Sequence, residues 1–387
     1  MLRNYLLFYK ERGENVIIKN GNVFQKDFRF RKADILIRDG KIEKIGSLAE
    51  TGEEVMDAEG KLVIPGLTDL HFHGCVGYDF CDGTEEAITE MAKYQFSQGV
   101  TGICPATMTL GKDRLLKICE TAATHKNGAG MADLVGINLE GPFISPDRCG
   151  AQNPEYVHRP DADFLKGLIT ASKGLTRLVT IAPEEEGALE CIRSLKNQIR
   201  FSVGHTMADY DAAVRGFEAG ARQVTHLFNA MSGMNHRAPG VVGAAADNPN
   251  VMAEMICDGI HIHPAVIRNA FRMFGDDRII LISDSMRACG MEDGDYELGG
   301  LPVVKKGNRA TLQDGTLAGS VTNLFDCMVN VIRMGIPAES AIKASTYNPA
   351  KALGLLDRIG SIEEGKEAKL VILEADYTIV KVVNNSL

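Results

Sequence analysis

The sequence has no long apolar run, no excess of basic residues, no Cys-x-x-C pair and no Gly-x-Gly-x-x-Gly opening a helix after its first strand. Each absence removes a class of protein. A bilayer-spanning helix needs about twenty consecutive apolar residues, and no stretch offers them. The apolar segment 1–10 is short and is followed at once by charge, so it reads as neither a signal peptide nor a span. The formal net charge of −9 argues against nucleic acid or an anionic membrane as the main partner. It still allows a phosphorylated small molecule, which needs only a local basic spot. The nine cysteines are odd in number and scattered, which fits reduced thiols in a cytoplasmic protein and not a disulfide frame. The missing glycine fingerprint weakens a dinucleotide-binding sheet. What remains, with 24% charged and 45% apolar residues over 387 positions, is an ordinary soluble composition, enough for one large domain and a small one.

Both ends of the chain are β-rich. Runs at 16–18, 28–30, 33–37 and 42–45 are separated by Asn20-Gly21 and Asp39-Gly40 turn signals and predict an antiparallel unit. Runs at 369–373 and 378–383 have the same character. Because chain termini often lie close together, these ends are expected to join as one small β-domain, with residues 1–64 and 356–387 its two parts. Between them, over 65–355, apolar strand patterns alternate with amphipathic helical ones. Eight strands are expected, at 67–73, 101–107, 134–140, 178–182, 201–205, 223–229, 251–258 and 279–284. Helical patterns fall at 84–98, 114–125, 188–197, 208–219 and 264–274, with Thr206 a plausible cap for the fourth. A Gly- and Asp-rich insertion follows Ser285, and then a helical run from 322 to 353. Eight strand–helix repeats fit a closed (β/α)8 barrel better than an open sheet.

Such a barrel carries its chemistry at the C-terminal ends of its strands. Those ends hold His71 and His73 on the first, Glu140 on the third, His205 on the fifth and His226 on the sixth. The seventh ends in Asp258, with His261 beyond it, and the eighth in Asp284. His71 and His73, two residues apart in extended chain, point the same way while Phe72 packs opposite. Taken alone, that pair also reads as two polar residues satisfied by backbone carbonyls. Five of nine histidines at strand ends favour a metal site instead. Imidazoles with a carboxylate suit Zn²⁺ or Fe²⁺, whereas Mg²⁺ or Ca²⁺ would want an oxygen cage. Asp284, on a separate strand, is the natural proton acceptor. Asp69 is expected to support His71, and Asp258 reads equally as a turn-orienting carboxylate or a substrate contact. His125 and His158 read as surface residues, and His236 as either solvent-facing or a support behind a site residue. Cys75, Cys81 and Cys257 near the mouth read as inert buried thiols, with thiolate ligation left open.

The stretch Pro65-Gly66-Leu67-Thr68-Asp69-Leu70-His71-Phe72-His73-Gly74 resembles the first-strand signature of the amidohydrolase superfamily. Several further segments resemble, more narrowly, its N-acetylglucosamine-6-phosphate deacetylase family. They are Asn138-Leu139-Glu140-Gly141-Pro142-Phe143, Val203-Gly204-His205-Thr206, Thr225-His226-Leu227-Phe228-Asn229-Ala230-Met231, Cys257-Asp258-Gly259-Ile260-His261, Ile282-Ser283-Asp284-Ser285 and Gly315-Thr316-Leu317-Ala318-Gly319-Ser320. The resemblance runs in register from about residue 16 to 380. It implies a barrel with a small β-sandwich domain made by both termini, and hydrolysis of the N-acetyl group of an amino-sugar 6-phosphate. It further implies that Glu140, His205 and His226 hold the main divalent ion, while His71 and His73 hold a second with Glu140 bridging. Asp284 would activate the metal-bound water and then protonate the departing amine. His261 would contact the sugar or polarise the acetyl carbonyl, with Asp258 beside it. Asn229, Ala230 and Arg237 would serve the phosphate end, the arginine coming from a neighbouring subunit in some relatives, so a homodimer is implied. Leu317, Ala318 and Gly319 would close over the substrate.

Two positions depart from uniformity. Some relatives carry Gln-x-Asn in place of His-x-His and work with one metal, whereas this sequence keeps both histidines. Where some relatives place a phosphate-holding histidine, Ala151-Gln152 stands here, a hydrogen-bond donor without charge. The competing readings are another amidohydrolase, cyclic amidase or D-aminoacylase-like, and a non-catalytic scaffold. Many cyclic amidases bridge their metals with a carboxylated lysine, where this chain has Glu140. A scaffold is expected to have lost ligands, and all are present.

Overall fold

A computed structural model describes residues 15–50 and 52–384; the apolar segment 1–10 lies outside them. The eight expected strands are all present, and all but the fourth are shorter than their apolar patterns. They are Leu67–Asp69, then Val100–Ile103 continued by Ala106–Thr107, then Asp133–Leu134 continued by Ile137–Glu140. Thr176–Ile181, Arg200–Val203, Gln223–Val224, Met252–Ile256 and Ile279–Ile282 follow as barrel strands 4 to 8. Every pairing between neighbours is parallel. The ring closes between strands 8 and 1, where Asp284 N donates to His71 O at 2.9 Å and His73 N to Ser285 O at 2.7 Å. Gly66 is needed at the entry to strand 1, since a Cβ there would lie 2.2 Å from Thr101 Oγ1. Together these contacts make a TIM-like barrel.

The barrel has an inside and an outside core. Inward-facing Leu70, Leu178, Met252, Ile256, Ile280 and Ile282 form one apolar cluster, plugged by Ala350, Leu353, Leu355 and Ile359. A larger cluster joins the outward strand faces to the surrounding helices. Alternation along each strand sorts side chains between the two.

The helix Pro264–Phe274 has the bounds its pattern predicts, and Glu85–Ser97 starts from Thr84, whose side chain caps Ala87 N. The fourth expected helix begins later, at Tyr210. Its cap is Asp209, which accepts from Ala212 N, while Thr206 donates its hydroxyl to Glu184. The run 322–353 divides into Leu324–Arg333, Ala338–Ser345 and Tyr347–Ala352. The insertion after Ser285 folds as an antiparallel sheet of Gly294–Leu298, Leu301–Lys306 and Arg309–Thr311, which its composition concealed.

The two chain ends meet in one seven-stranded sheet. It is mixed, where an antiparallel unit was expected: Val16–Phe24 pairs antiparallel with Phe30–Arg38 and parallel with Glu54–Asp57 and Leu62–Pro65. Lys369–Leu373 pairs with Leu62–Pro65, and Lys369 makes a buried ion pair with Asp133 at the start of barrel strand 3. That pair ties the terminal sheet to the barrel.

Candidate metal centre

The strand ends bring five ligand-type side chains to one point. His71 and His73 lie just past strand 1, Glu140 ends strand 3, and His205 and His226 follow strands 5 and 6. Their backbones turn sharply there: φ is 46° at His205, 29° at His226 and 49° at Asp284. Such left-handed residues are uncommon outside glycine and gather at functional sites. Gly141, at φ 85°, could not be replaced quietly, because a Cβ would meet Thr109 Oγ1 at 2.1 Å.

Glu140 is the hub. Its Oε1 lies 3.2 Å from His71 Nε2, 3.1 Å from His205 Nε2 and 2.9 Å from His226 Nε2. Its Oε2 lies 3.2 Å from His73 Nε2. His71, His73 and Glu140 form one group able to hold an ion, and Glu140, His205 and His226 form another. Hydrogen bonding prepares three of the imidazoles for ligation. His71 Nδ1 faces Glu254 at 2.8 Å, His73 Nδ1 faces Ala106 O at 3.3 Å, and His205 Nδ1 faces Arg148 O at 2.9 Å. Each of these partners only accepts, so the proton sits on Nδ1 and the Nε2 lone pair points into the cluster.

The crowding is chemically informative. His205 Nε2 and His226 Nε2 stand 3.0 Å apart, although two lone pairs that close repel unless a cation or proton lies between them. His71 Nε2, His226 Nδ1 and Asp284 Oδ1 are buried without a hydrogen-bond partner. Burial would raise the Glu140 carboxyl, but His71 and His205 hold it well below the usual range. Burial would likewise lower His73, yet Asp284 and Glu140 push it up to about 10. A divalent cation supplies the same compensating positive charge and takes the lone pairs as ligands. The donor set therefore fits one or two metal ions.

A cavity of about 360 Å³ opens over the cluster. His73, Glu140, His205, His226, His261 and Asp284 line it, as do the predicted Ala151, Gln152, Asn229, Ala230, Leu317 and Gly319. His71 lies behind His73, fully buried. Ala318 is buried and does not reach the cavity. Asp258 is turned away: it accepts from the N–H groups of Ile260 and His261 and bonds His261 Nδ1 at 2.7 Å. That is the turn-orienting alternative. Arg237 is exposed on the loop after strand 6 and does not line its own chain's cavity. Gln152 is engaged with the cluster, its Nε2 donating to Glu140 and its Oε1 accepting from Thr109 N.

Several contacts escaped the sequence. Arg148 lines the mouth, and Met108, Ile256 and Leu298 supply its apolar wall. Arg148 shares a loop with Ala151-Gln152, which was the available signal; Leu298 sits in the insertion and gave none. Asp69 supports backbone and not imidazole, accepting from His71 N and from both N–H and O–H of Ser283. Burial pushes its carboxyl up to about 7 against those bonds. His125, expected at the surface, has its ring only 1% exposed beneath Glu85. Cys75, Cys81 and Cys257 are buried, their thiols pushed up by burial, and none belongs to either ligand group.

Residues 62–386 match the Amidohydrolase family. The chain belongs to the amidohydrolase family. This amidohydrolase is 37% identical to the N-acetylglucosamine-6-phosphate deacetylase of Bacillus subtilis, over 95% of this chain and 92% of the relative. It is 33% identical to an N-acetylgalactosamine-6-phosphate deacetylase of Escherichia coli O157:H7, over 89% and 92% respectively. Among solved structures it superposes, with a TM-score of 0.89 and 32% identity, on a mutant N-acetyl-D-glucosamine-6-phosphate deacetylase from Mycobacterium smegmatis in complex with N-acetyl-D-glucosamine-6-phosphate, covering 97% of this chain and 98% of that one.

Proposed function

We propose that this amidohydrolase cleaves the N-acetyl group of N-acetylglucosamine 6-phosphate, giving acetate and glucosamine 6-phosphate. The observation that carries the chemistry is Glu140 shared by two ligand groups, with Asp284 Oδ1 buried beside them, 3.3 Å from His73 Nε2. The substrate follows from deacetylase relatives aligned over nearly the whole chain. A divalent ion held there, Zn²⁺ or Fe²⁺ by its imidazole-rich donors, would polarise the amide carbonyl and bring the pKa of a water down to about 7.

The chain's own groups do the rest. Asp284 is kept ionised: burial opposes this, but the His73 and His71 imidazoles beside it outweigh it. It can therefore take a proton from the attacking water and deliver it to the amine nitrogen as the C–N bond breaks. His261, fixed at Nδ1 by Asp258, lines the cavity. Burial would lower its pKa, yet Asp258 raises it, so the ring is a competent donor to substrate oxygen. Arg148, the one arginine or lysine lining the cavity among the described residues, is placed to meet the phosphate. Arg237, exposed outside its own cavity, suits service to a second copy, which supports a homodimer. Free thiols at all nine cysteines support a cytoplasmic setting. The terminal sheet, with 1–64 and 356–387, reads as the small β-domain around a 65–355 barrel.

The test is acetate release from the metal-loaded protein with N-acetylglucosamine 6-phosphate, its galactosamine epimer and the unphosphorylated sugar. Turnover is expected with the first. Faster turnover of the epimer would move the assignment to the galactosamine reading that the Escherichia coli relative favours. No turnover of either phosphate would refute both.

A further inference from the structure

One buried charge has no part in the chemistry above. Glu254 sits midway along barrel strand 7, fully buried, on the inward face it shares with Met252 and Ile256. An ionised carboxylate in such an apolar interior is costly unless its oxygens are fully bonded. Its Oε2 lies 2.8 Å from His71 Nδ1 and 3.4 Å from His226 N, and its Oε1 accepts from Gln223 Nε2 at 2.5 Å. Gln223 cannot turn its amide over, because its Oε1 already accepts from Arg200 Nε at 2.7 Å. Arg200 is itself anchored to Arg222 O at 2.8 Å. A line of hydrogen bonds thus runs up the inside of the barrel from Arg200 through Gln223 to Glu254, which accepts in turn from His71. His73 and His205 have only neutral carbonyls behind their Nδ1 atoms; His71 alone of these three has a carboxylate.

We propose that Glu254 is the positioning residue for the His71 half of the metal centre, held in place by Gln223 and Arg200, so that the second cation is secured from inside the barrel. The carboxylate fixes the His71 tautomer and ring orientation and makes Nε2 a better donor to a cation than a carbonyl partner would. The two halves of the centre are therefore built unequally. Glu140, His205 and His226 have no carboxylate behind an imidazole Nδ1, Glu254 reaching His226 only at its backbone N, 3.4 Å away, whereas the pair His71 and His73 depends on it.

This inference rests on the cluster being a metal centre, and zinc titrated into metal-free protein in chelator-buffered solution tests both. Bound metal is read by mass spectrometry. Wild type is expected to take two ions. E254Q keeps the side-chain volume and one acceptor for His71, and the dissociation constant of its second ion is expected to rise by about 10- to 100-fold, with the first unchanged. Q223M should shift it in the same direction by less. In an H71A background E254Q should change zinc affinity far less, because its imidazole route to the ion is gone and only the long bond to His226 N remains. Unchanged second-ion affinity in E254Q, or an equal loss with His71 already removed, would overturn the assignment. If E254Q does not fold, unchanged second-ion affinity in Q223M overturns it too. Wild type taking one ion would remove this inference alone; wild type taking none would remove the metal reading as well.

Discussion

Arg148 and Arg237 can be separated as phosphate partners by where their defects can be repaired. Arg148 lines its own cavity, while Arg237 is exposed on a loop outside it. A charge-assisted hydrogen bond contributes about 1.5–3 kcal/mol, and solvent around an exposed guanidinium pulls its value towards the low end. Arg148→Met should therefore lower kcat/KM for the phosphorylated sugar about tenfold and leave the unphosphorylated sugar unaffected. Its backbone carbonyl, which orients His205, survives the change. Arg237→Met should cost about as much or more, but from the other side of a subunit boundary. Mixing it in equal amounts with Asp284→Asn puts half of randomly paired dimers in the mixed state. In each mixed dimer the site with an intact Asp284 regains a partner's arginine, so about a quarter of wild-type activity should return. Arg148→Met mixed with the same partner should gain nothing. Acetate release after subunit exchange reads all of these. A mixture of Arg237→Met and Asp284→Asn no more active than half of Arg237→Met alone would refute a role across the interface. Arg148→Met equally slow on both sugars would refute its phosphate contact.

Two further outcomes follow from the geometry. Asp284→Asn should keep its metal content, measured by mass spectrometry, while kcat falls about 10²- to 10⁴-fold; metal loss would make Asp284 a ligand instead of the proton carrier. Lys369→Met leaves Asp133 buried and uncompensated, and should lower the unfolding free energy in urea by about 3–5 kcal/mol. A loss below about 1 kcal/mol, the scale of a surface pair, would show that this link between sheet and barrel carries little.

The site was legible in the sequence where chemistry coincided with the ends of apolar runs. His71, His73, Glu140, His205, His226 and Asp284 each stand where a strand pattern stops, so counting strands also located the candidate site. Glu254 was not legible, because it sits inside Met252-Ala253-Glu254-Met255-Ile256 and only the folded barrel gives it its imidazole partner, 183 residues earlier in the chain. Most strands ran shorter than their patterns because the residues that follow turn over the mouth while staying buried, and burial reads as strand. The insertion escaped because strands such as Gly294–Leu298 carry Gly, Asp and Glu on a half-exposed sheet. The helix Gly240–Asp247, rich in Gly, Ala and Val, lacks a polar face to mark it.

The join between barrel strands 8 and 1 has a consequence for how the molecule is made. Ser283 O–H reaches Asp69 across 214 residues of sequence, and Asp284 N meets His71 O at the same seam. During synthesis the first histidines emerge long before Asp284 exists, and the loop between them must close against its entropy. Pairings this distant in sequence form slowly, so the centre is expected among the last parts of the barrel to assemble. A nascent chain ending before Ser283 exposes His71 and His73 without their aspartate. On the role proposed for Asp284, such an unfinished polypeptide would not hydrolyse the amide.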